Sequence, residues 1–369
     1  MNLSVIIVSY NVRELLRSCL AATFASLARS PELAATVWVV DNASADGSAG
    51  MVAAEFPQVR LIAREDNLGF AGGNNLVLRA LGCGSQGSGG RGQESGGNQA
   101  RGKGQRAKGN QQSEIRNPKS EIRNPQFAIR NSQFAIRNPH FVLLLNPDAE
   151  PLGDAIGQMA RFLAEHPEAG GVGAQLAYPD GRFQHGAFRF PGLWQLWLDL
   201  FPPRPRRLLD SRLNGRYGRG LYEAGRPFPV DFLLGAALMV RREAIESVGL
   251  LDEDYFMYAD EVDWCWRIQR AGWQFYCLPT ARVIHHGGAS TRQFRSQSFL
   301  NLWRSRRRLY ARFYGPARRW LAARIVRLGM RAEIRRIQAA AARGEISAET
   351  MAERVSAARA VAGLFSHTN

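Results

Sequence analysis

Residues Ser4-Val5-Ile6-Ile7-Val8 form an apolar run that stops abruptly at Ser9-Tyr10-Asn11. Val37-Trp38-Val39-Val40 repeats the arrangement and stops at Asp41-Asn42. This recurrence constrains the fold more than any other feature. A strand covered on both faces reads as a continuous apolar run, and it ends where turn-forming polar residues begin. Two such runs with a helical segment between them predict neighbouring parallel strands of an α/β sheet. Ligands of such sheets bind outside the carboxyl ends of the strands, so the residues just after Val8 and Val40 are the first candidates for a site.

The same reading extends along the chain. Asn11-Val12-Arg13-Glu14 has the spacing of a capping box, and Leu15, Leu16, Cys19 and Leu20 recur at helical intervals. Residues 49–56 read as the next helix and 59–63 as a third strand. Asn67-Leu68-Gly69-Phe70-Ala71-Gly72-Gly73-Asn74-Asn75 reads as a glycine-rich turn leading into a helix over 76–81. From Gly82 to Pro139 core-forming residues become rare, and Ser113–His140 is a fourfold seven-residue repeat in which Pro118, Pro125 and Pro139 share one position. Proline at that period breaks any heptad helix, so the segment is expected to be a disordered, dispensable insert. Order resumes at Phe141-Val142-Leu143-Leu144-Leu145. A helix is expected over 153–165, a strand over 171–176, a turn at Tyr178–Arg182, and an apolar stretch over 230–241. A helix over 260–271 and short strands over 273–278 and 282–286 come next; residues 190–229 carry no clear pattern.

The net charge of +16 is unevenly spread: residues 83–140 hold +7 and residues 292–343 hold +14, leaving −5 for the remainder. The basicity belongs to the insert and the tail, which argues against nucleic acid as the partner of the whole chain. No apolar run approaches the ~18 residues that cross a bilayer, and the N-terminus lacks the basic region of a signal peptide. Cys19, Cys83, Cys265 and Cys277 lack metal-type spacing and read as reduced thiols of a cytoplasmic protein.

Several polar groups carry possible chemistry. Asp41 and Asp46 are placed to bind a base or ribose, with Gly47 allowing close approach; Asp46 is equally placed to cap the following helix. Asn146-Pro147-Asp148 puts one carboxylate at a buried strand end, as suits a hard divalent cation bridging a nucleotide diphosphate. Tyr255-Phe256-Met257-Tyr258-Ala259 precedes Asp260-Glu261-Val262-Asp263. Aromatic surroundings raise carboxylate pKa values and suit a general base. On a helix Asp260 and Asp263 share a face, while Glu261 points about 100° away. Imidazole suits Mn-like metals, but His285 and His286, adjacent on a strand, face opposite ways, so at most one meets a cation. The glycine-rich segment has backbone N–H groups suited to phosphate, though it matches neither the Walker nor the dinucleotide pattern.

Taken in this order, the segments resemble the family 2 inverting glycosyltransferases, which have the GT-A fold, and within them the rhamnosyltransferase-like subgroup. The resemblance covers roughly residues 3–81 and 141–315. It implies that Asp41 reads the nucleotide, that Asn74 or Asn75 makes a polar donor contact, and that Asp148 and His285 hold a divalent metal, Mg or Mn. It further implies that Glu261 takes the acceptor proton, with Asp260 its rival because the acidic pair appears here as Asp-Glu in place of the usual Glu-Asp. The subgroup shares Asn146, a weaker metal ligand than a second aspartate.

The expected fold is therefore α/β: a GT-A-like (Rossmann-like) mixed, mostly parallel sheet with flanking helices. Residues 1–82 form its nucleotide-binding half, 83–140 the disordered insert, 141–300 the metal and acceptor half, and 301–369 a basic helical tail. The implied partners are a nucleotide-diphosphate sugar and a lipid-linked or polysaccharide acceptor at the cytoplasmic face of a membrane. Trp320, Leu321, Ile325 and Leu328, interleaved with arginines, suggest contact with an anionic membrane surface; packing on the catalytic domain and nucleic-acid binding are the alternatives. Two other functions compete. A sugar nucleotidyltransferase has a glycine-rich basic loop after its first strand, which Ser9-Tyr10-Asn11-Val12 is not, and a non-catalytic basic scaffold would need no acidic helix.

Overall fold

The computed structural model describes residues 1–84, 138–203, 209–287 and 295–366, with no side-chain detail at 295–296. The expectation of a disordered insert falls outside the described residues. The chain opens with alternating strands and helices: β1 (Asn2–Ser9), α1 (Arg13–Leu27), β2 (Ala34–Asp41), α2 (Ser48–Glu55), β3 (Arg60–Ala63) and α3 (Gly69–Ala80). Past the insert come β4 (Phe141–Leu145), β5 (Ala149–Pro151), α4 (Ala155–Glu165), β6 (Ala169–Ala177), β7 (Phe183–Gln184) and β8 (Ala187–Phe188). The stretch without a clear sequence pattern contains α5 (Leu193–Leu200), a 3-10 turn and α6 (Arg219–Glu223). Next are β9 (Phe228–Val230), β10 (Phe232–Leu233), β11 (Ala237–Arg241), α7 (Arg242–Val248), α8 (Asp260–Arg270) and β12 (Gln274–His285). Three helices finish the chain: α9 (Arg295–Phe313), α10 (Pro316–Ala342) and α11 (Ala348–Leu364).

The main sheet runs β3-β2-β1-β4-β11-β6-β12-β5, with β7 beside β6 and β9 beside β12. β3, β2, β1 and β4 are parallel, β11 inserts antiparallel between β4 and β6, and β12 again runs parallel to β6. The sheet is thus mixed, with most strands in one direction, as expected. Alternate residues supply its two faces. Leu3, Val5, Ile7, Val37 and Val39 pack under α1, α2 and α4, while Ile6, Trp38, Val40, Val142 and Leu144 pack under α3, α7 and α8. That two-sided burial is what made the strands continuous apolar runs.

Three local expectations change. The two short strands after residue 272 are one strand, β12, whose register against β6 shifts between Leu278 and Arg282. The glycine segment is not a turn before a helix, because α3 already starts at Gly69. Gly73 admits α3 to β1, since a Cβ there would lie 2.7 Å from the Val8 side chain. Finally, the C-terminal helices share a third core with α5, built from Leu196, Leu200, Trp303, Tyr310, Tyr314, Ile325, Val326, Met330 and Val361. Trp303, Tyr310, Tyr314 and Ile325 are therefore internal, while Trp320, Leu321 and Leu328 face solvent.

Candidate active site

At the carboxyl edge of the sheet Ser9 lies opposite Asp41 in the β1–β2 register, and β4 flanks β1 on the other side. The chain leaves β1 toward β2, and β4 enters on the opposite flank, so a crevice opens at this switch point. Asp41 is buried at the end of β2. Its Oδ2 accepts from the Ser44 N–H at 3.1 Å, and its Oδ1 has no partner. Asn42 donates from Nδ2 to the Gly69 carbonyl at 3.1 Å, and its Oδ1 is likewise unpartnered. Gly69 has φ +71, and a Cβ there would meet the Phe256 carbonyl at 2.3 Å. That approach joins the Asp41 loop, through Asn42, to the segment preceding the acidic helix.

Asp46 does something different. Its Oδ2 accepts from the Arg13 N–H at 2.8 Å, and its Oδ1 accepts from the Ser48 N–H at 3.0 Å and hydroxyl at 2.6 Å. It therefore caps α1 and α2 together. Partial burial pushes its carboxyl up, but the Ser48 and Arg13 bonds outweigh this and hold it below the usual carboxylate range. The expected capping box is absent: Val12 precedes α1 without a side-chain cap, and Asn11 Oδ1 accepts instead from Ala45 N–H at 2.8 Å.

On α3 the two asparagines diverge. Asn74 donates to the Phe70 carbonyl at 2.9 Å, and its buried Oδ1 has no partner. Asn75 is consumed by the fold. Its Nδ2 donates to the Leu251 carbonyl and to Glu253, each at 2.8 Å, and its Oδ1 accepts from Leu251 N–H at 3.1 Å. It pins the loop ahead of α8.

Beyond β4, Asp148 and His285 meet although they are far apart in the chain. Asp148 Oδ1 lies 3.4 Å from His285 Nε2, and both side chains are buried. Asn146 Nδ2 is 3.3 Å from the same Nε2, while Gln184 Oε1 is 3.1 Å from His285 Nδ1. Burial pushes Asp148 up, yet His285 and backbone N–H groups hold its carboxyl below the usual range. His286 turns the other way, to Glu150 at 3.2 Å. Among the described residues no three His, Cys, Asp or Glu side chains cluster as a complete metal cage. The donor set nevertheless fits a divalent cation held partly by substrate: one carboxylate, one imidazole orientated by Gln184, and a neutral amide.

α8 is entered through strain. Tyr258 and Ala259 have φ +69 and +62, two successive left-handed non-glycine residues that cost about 1–2 kcal/mol each. Such strain gathers at functional sites. Asp260, the first residue of α8, is buried; its Oδ1 accepts from Glu261 N–H at 3.1 Å and its Oδ2 has no partner. Burial, reinforced by the neighbouring Glu261 charge, raises its pKa well above the usual value. Glu261 is only half-buried and thus reachable. Asp263 is wholly buried and fully engaged, accepting from Arg267 Nε at 2.7 Å, paired with Arg312 at 3.1 Å and touched by the Tyr255 hydroxyl at 3.4 Å.

The structure thus gathers Asp41, Asn74, Asp148, His285, Asp260 and Glu261 on elements that border one edge, and assigns Asp46, Asn75 and Asp263 to internal bonds. Sequence reasoning passed over Asn42 and Gln184. Asn42 comes straight after Asp41 at a strand end and was detectable there; nothing near Gln184 in the sequence connects it to His285.

The model of the glycosyl transferase family 2 matches residues 4–82, the segment that holds Asp41 and the glycine-rich helix. A relative in Mycobacterium tuberculosis, N-acetylglucosaminyl-diphospho-decaprenol L-rhamnosyltransferase, is 27% identical over 269 residues, which is 72% of this chain and 71% of the relative. Over residues 4–82 the chain is thus similar to glycosyltransferase family 2. The rhamnosyltransferase WbbL of Escherichia coli K12 is 33% identical to this chain over 70 residues, 19% of this chain and 26% of WbbL. Among solved structures, the mannosyltransferase PcManGT of Pyrobaculum calidifontis, in complex with GDP-Man and Mn2+, aligns at 16% identity and a TM-score of 0.47 over 99% of this chain and 88% of its own.

Proposed function

We propose that this glycosyltransferase moves a rhamnosyl or related hexosyl unit from a nucleoside-diphosphate donor to a hydroxyl of a lipid-linked saccharide, with inversion and with a divalent cation, Mg or Mn. The observation that carries the reading is the set of unpaired buried oxygens at one edge: Ser9 Oγ, Asp41 Oδ1, Asn42 Oδ1, Asn74 Oδ1 and Asp260 Oδ2. Buried polar atoms nearly always have partners. Of twelve such atoms among the described residues, these five lie on elements joined through Asn42, Gly69 and Phe256, and their grouping supports a place that a polar ligand completes.

In this reading Asp41 and Asn42 receive the nucleoside, and Asn74 takes a polar group of the donor. Asp148 and His285 hold the cation, which when bound neutralises charge on the departing diphosphate. Gln184 fixes the imidazole through Nδ1, leaving Nε2 directed toward Asp148. Glu261 takes the proton of the acceptor hydroxyl as that oxygen attacks the anomeric carbon from the face opposite the leaving diphosphate. Reach favours Glu261 over Asp260 as the base. Asp260 Oδ2 is closed to solvent, whereas Glu261 is accessible, and geometry ranks before pKa in choosing a base. Asp260, whose pKa burial raises, adjoins Glu261 at the start of α8. The lipid-linked acceptor is suggested by the decaprenol-linked substrate in the mycobacterial relative's name. Four buried thiols without disulfides suit a cytoplasmic setting.

The test is release of nucleoside diphosphate from a panel of nucleotide sugars by the full chain, with and without a lipid-linked saccharide, in Mn and after chelation. Acceptor-dependent release that chelation abolishes is expected, with the new linkage of opposite anomeric configuration by NMR. No release from any donor would overturn the reading, and retention of configuration would overturn the single-displacement step.

A further inference from the structure

Single exposed apolar side chains need no explanation, but a cluster does. Among the described residues nine large apolar side chains are exposed, and five of them lie on just two adjacent helices: Trp194 and Trp197 on α5, and Trp320, Leu321 and Leu328 on α10. Three of the chain's eight tryptophans are therefore on this pair. The helices run side by side in the same direction. Tyr314, just before α10, donates to the Pro191 carbonyl at 2.7 Å, Leu200 packs against Gly329, and Arg336 donates to the Leu200 carbonyl at 3.2 Å.

Helical spacing puts the exposed groups on one flank of that pair. On α5, Leu196 and Leu200 turn into the third core, and Asp199 turns to Arg306 of α9 at 2.8 Å. Trp194 and Trp197 are left on the flank away from α9. On α10, Ala322, Ala323, Ile325, Val326, Gly329 and Met330 are buried, and the opposite stripe is Trp320, Leu321, Arg324, Leu328 and Arg331. From Pro316 to Ala332 the helix has five arginines and no acidic residue. Arg324 stacks on the Trp320 ring at 4.5 Å, and Arg318 on Tyr314 at 4.4 Å.

We propose that the α5–α10 flank is a docking face for an anionic lipid bilayer, with Trp194, Trp320, Leu321 and Leu328 entering the headgroup region and Arg318, Arg324 and Arg331 meeting lipid phosphates. Indole rings favour the interface because one part is apolar and the N–H remains polar. Arginine stems cover apolar surface while the guanidinium stays with phosphate. A protein partner or a second copy of this chain would need acidic groups to answer a stripe whose only charges are arginines, whereas an anionic bilayer supplies them over its whole surface. No described helix is long and apolar enough to cross a membrane, so the contact is peripheral. The face exists independently of the catalytic reading; only its purpose, bringing the site to a lipid-linked acceptor, rests on that reading.

The experiment is co-sedimentation of the full chain with phosphatidylcholine vesicles, with and without phosphatidylglycerol, alongside tryptophan emission. Binding confined to the anionic vesicles, weakened by salt and accompanied by a blue shift, is expected. Arg324→Gln and Arg331→Gln should each weaken binding about fivefold, and Trp194→Ser with Trp320→Ser should remove the blue shift. Because all four residues are exposed, unchanged melting curves confirm that the variants are folded. Donor hydrolysis is measured separately, so loss of catalysis and loss of docking are distinguished. Equal binding to neutral vesicles, undiminished binding by the variants, or a patch-dependent dimer by light scattering without vesicle binding would overturn the proposal. So would retention on nucleic acid without retention on vesicles.

Discussion

The carboxyl edge of the sheet and the helix α9 are both rich in polar groups, and they treat them in opposite ways. At the edge, Asp41, Asn42, Asn74 and Asp260 each keep a buried oxygen without a partner. On α9, Arg308 pairs with Asp252 and Asp254, and Arg312 pairs with Asp252 and Asp263. The edge is left incomplete, while α9 closes upon the acidic loop and holds the start of α8 in place. Unpartnered buried atoms also occur singly elsewhere, Trp303 Nε1 on α9 among them, but at the edge they gather on joined elements, and it is the gathering that points to a ligand. The contrast is sharpest within α8 itself, where Asp260 and Asp263 lie three residues apart on one face and belong to opposite kinds.

The largest effect that probes this contrast falls on turnover. Asp148→Ala should abolish cation-dependent activity, and Glu261→Gln, which keeps shape but not proton acceptance, should lower kcat about 10²–10⁴-fold. Donor affinity should hardly move in Glu261→Gln, because in the proposed reaction that carboxylate acts on the acceptor. Single-variant kinetics at saturating donor and acceptor decide the matter. If Asp260→Asn is the inactive variant and Glu261→Gln keeps most activity, the base has been misassigned; if Asp148→Ala is active at limiting Mn, so has the cation site.

The next effect is on stability. Asp263→Asn leaves Arg267 and Arg312 without their buried carboxylate, and removing one member of a buried pair costs about 3–5 kcal/mol. Some of this is softened by solvent, since Arg312 is partly exposed. Urea unfolding should show the loss, with kcat at low temperature much less affected. A stable but inactive Asp263→Asn protein would move this residue into the catalytic group and break the contrast.

Asp260→Asn should act in the other direction. The folded state raises the Asp260 pKa, by burial first and the Glu261 charge second. A raised folded value favours the protonated form, so the group costs nothing below the ordinary aspartate pKa of about 4 and destabilises increasingly as pH climbs through the folded value. The neutral amide avoids that penalty. The melting temperature of Asp260→Asn should therefore match wild type near pH 4 and exceed it at neutral pH. A neutral-pH melting temperature below wild type would show that the carboxylate is structurally needed.

These contrasts also show how far the sequence could be read. The ends of β1, β2 and β4 were legible because two-sided burial writes strands as unbroken apolar runs, and Asp41 and Asp148 stand directly at such ends. Pairings across the chain were not legible. Arg308 and Arg312 entered only as part of the basic tail, because Asp252, which both of them hold, lies 56 and 60 positions away. The glycines of α3 read as a turn since glycine disfavours helices by about 1 kcal/mol; contacts with Val8 and Phe256 that only glycine permits outweigh that preference. Tyr258 and Ala259 gave no sign of positive φ, because neither is a residue that prefers it.

The smallest expected effect concerns the insert, where edge and tail are both untouched. Cys83 is buried, and Gly84 packs on Leu250, so both are anchored to the body of the protein. On the far side His140 donates its N–H to the Asn2 carbonyl at 2.9 Å. Arg242 joins the two ends: its N–H donates to the His140 carbonyl at 3.0 Å, and its guanidinium donates to Leu81 at 3.1 Å and Gly82 at 3.2 Å. The chain thus leaves and returns at one residue, and loop-closure entropy changes only by about 0.6 kcal/mol per doubling of length. Replacing residues 85–137 with a short Gly-Ser turn should leave the melting temperature and kcat close to wild type. Arg242→Ala should lower stability more in the full-length chain than in the shortened one, because the short turn holds the two ends together without that clamp. Insoluble protein after the deletion, or equal sensitivity to Arg242→Ala in both forms, would show that the repeat segment contributes to the fold.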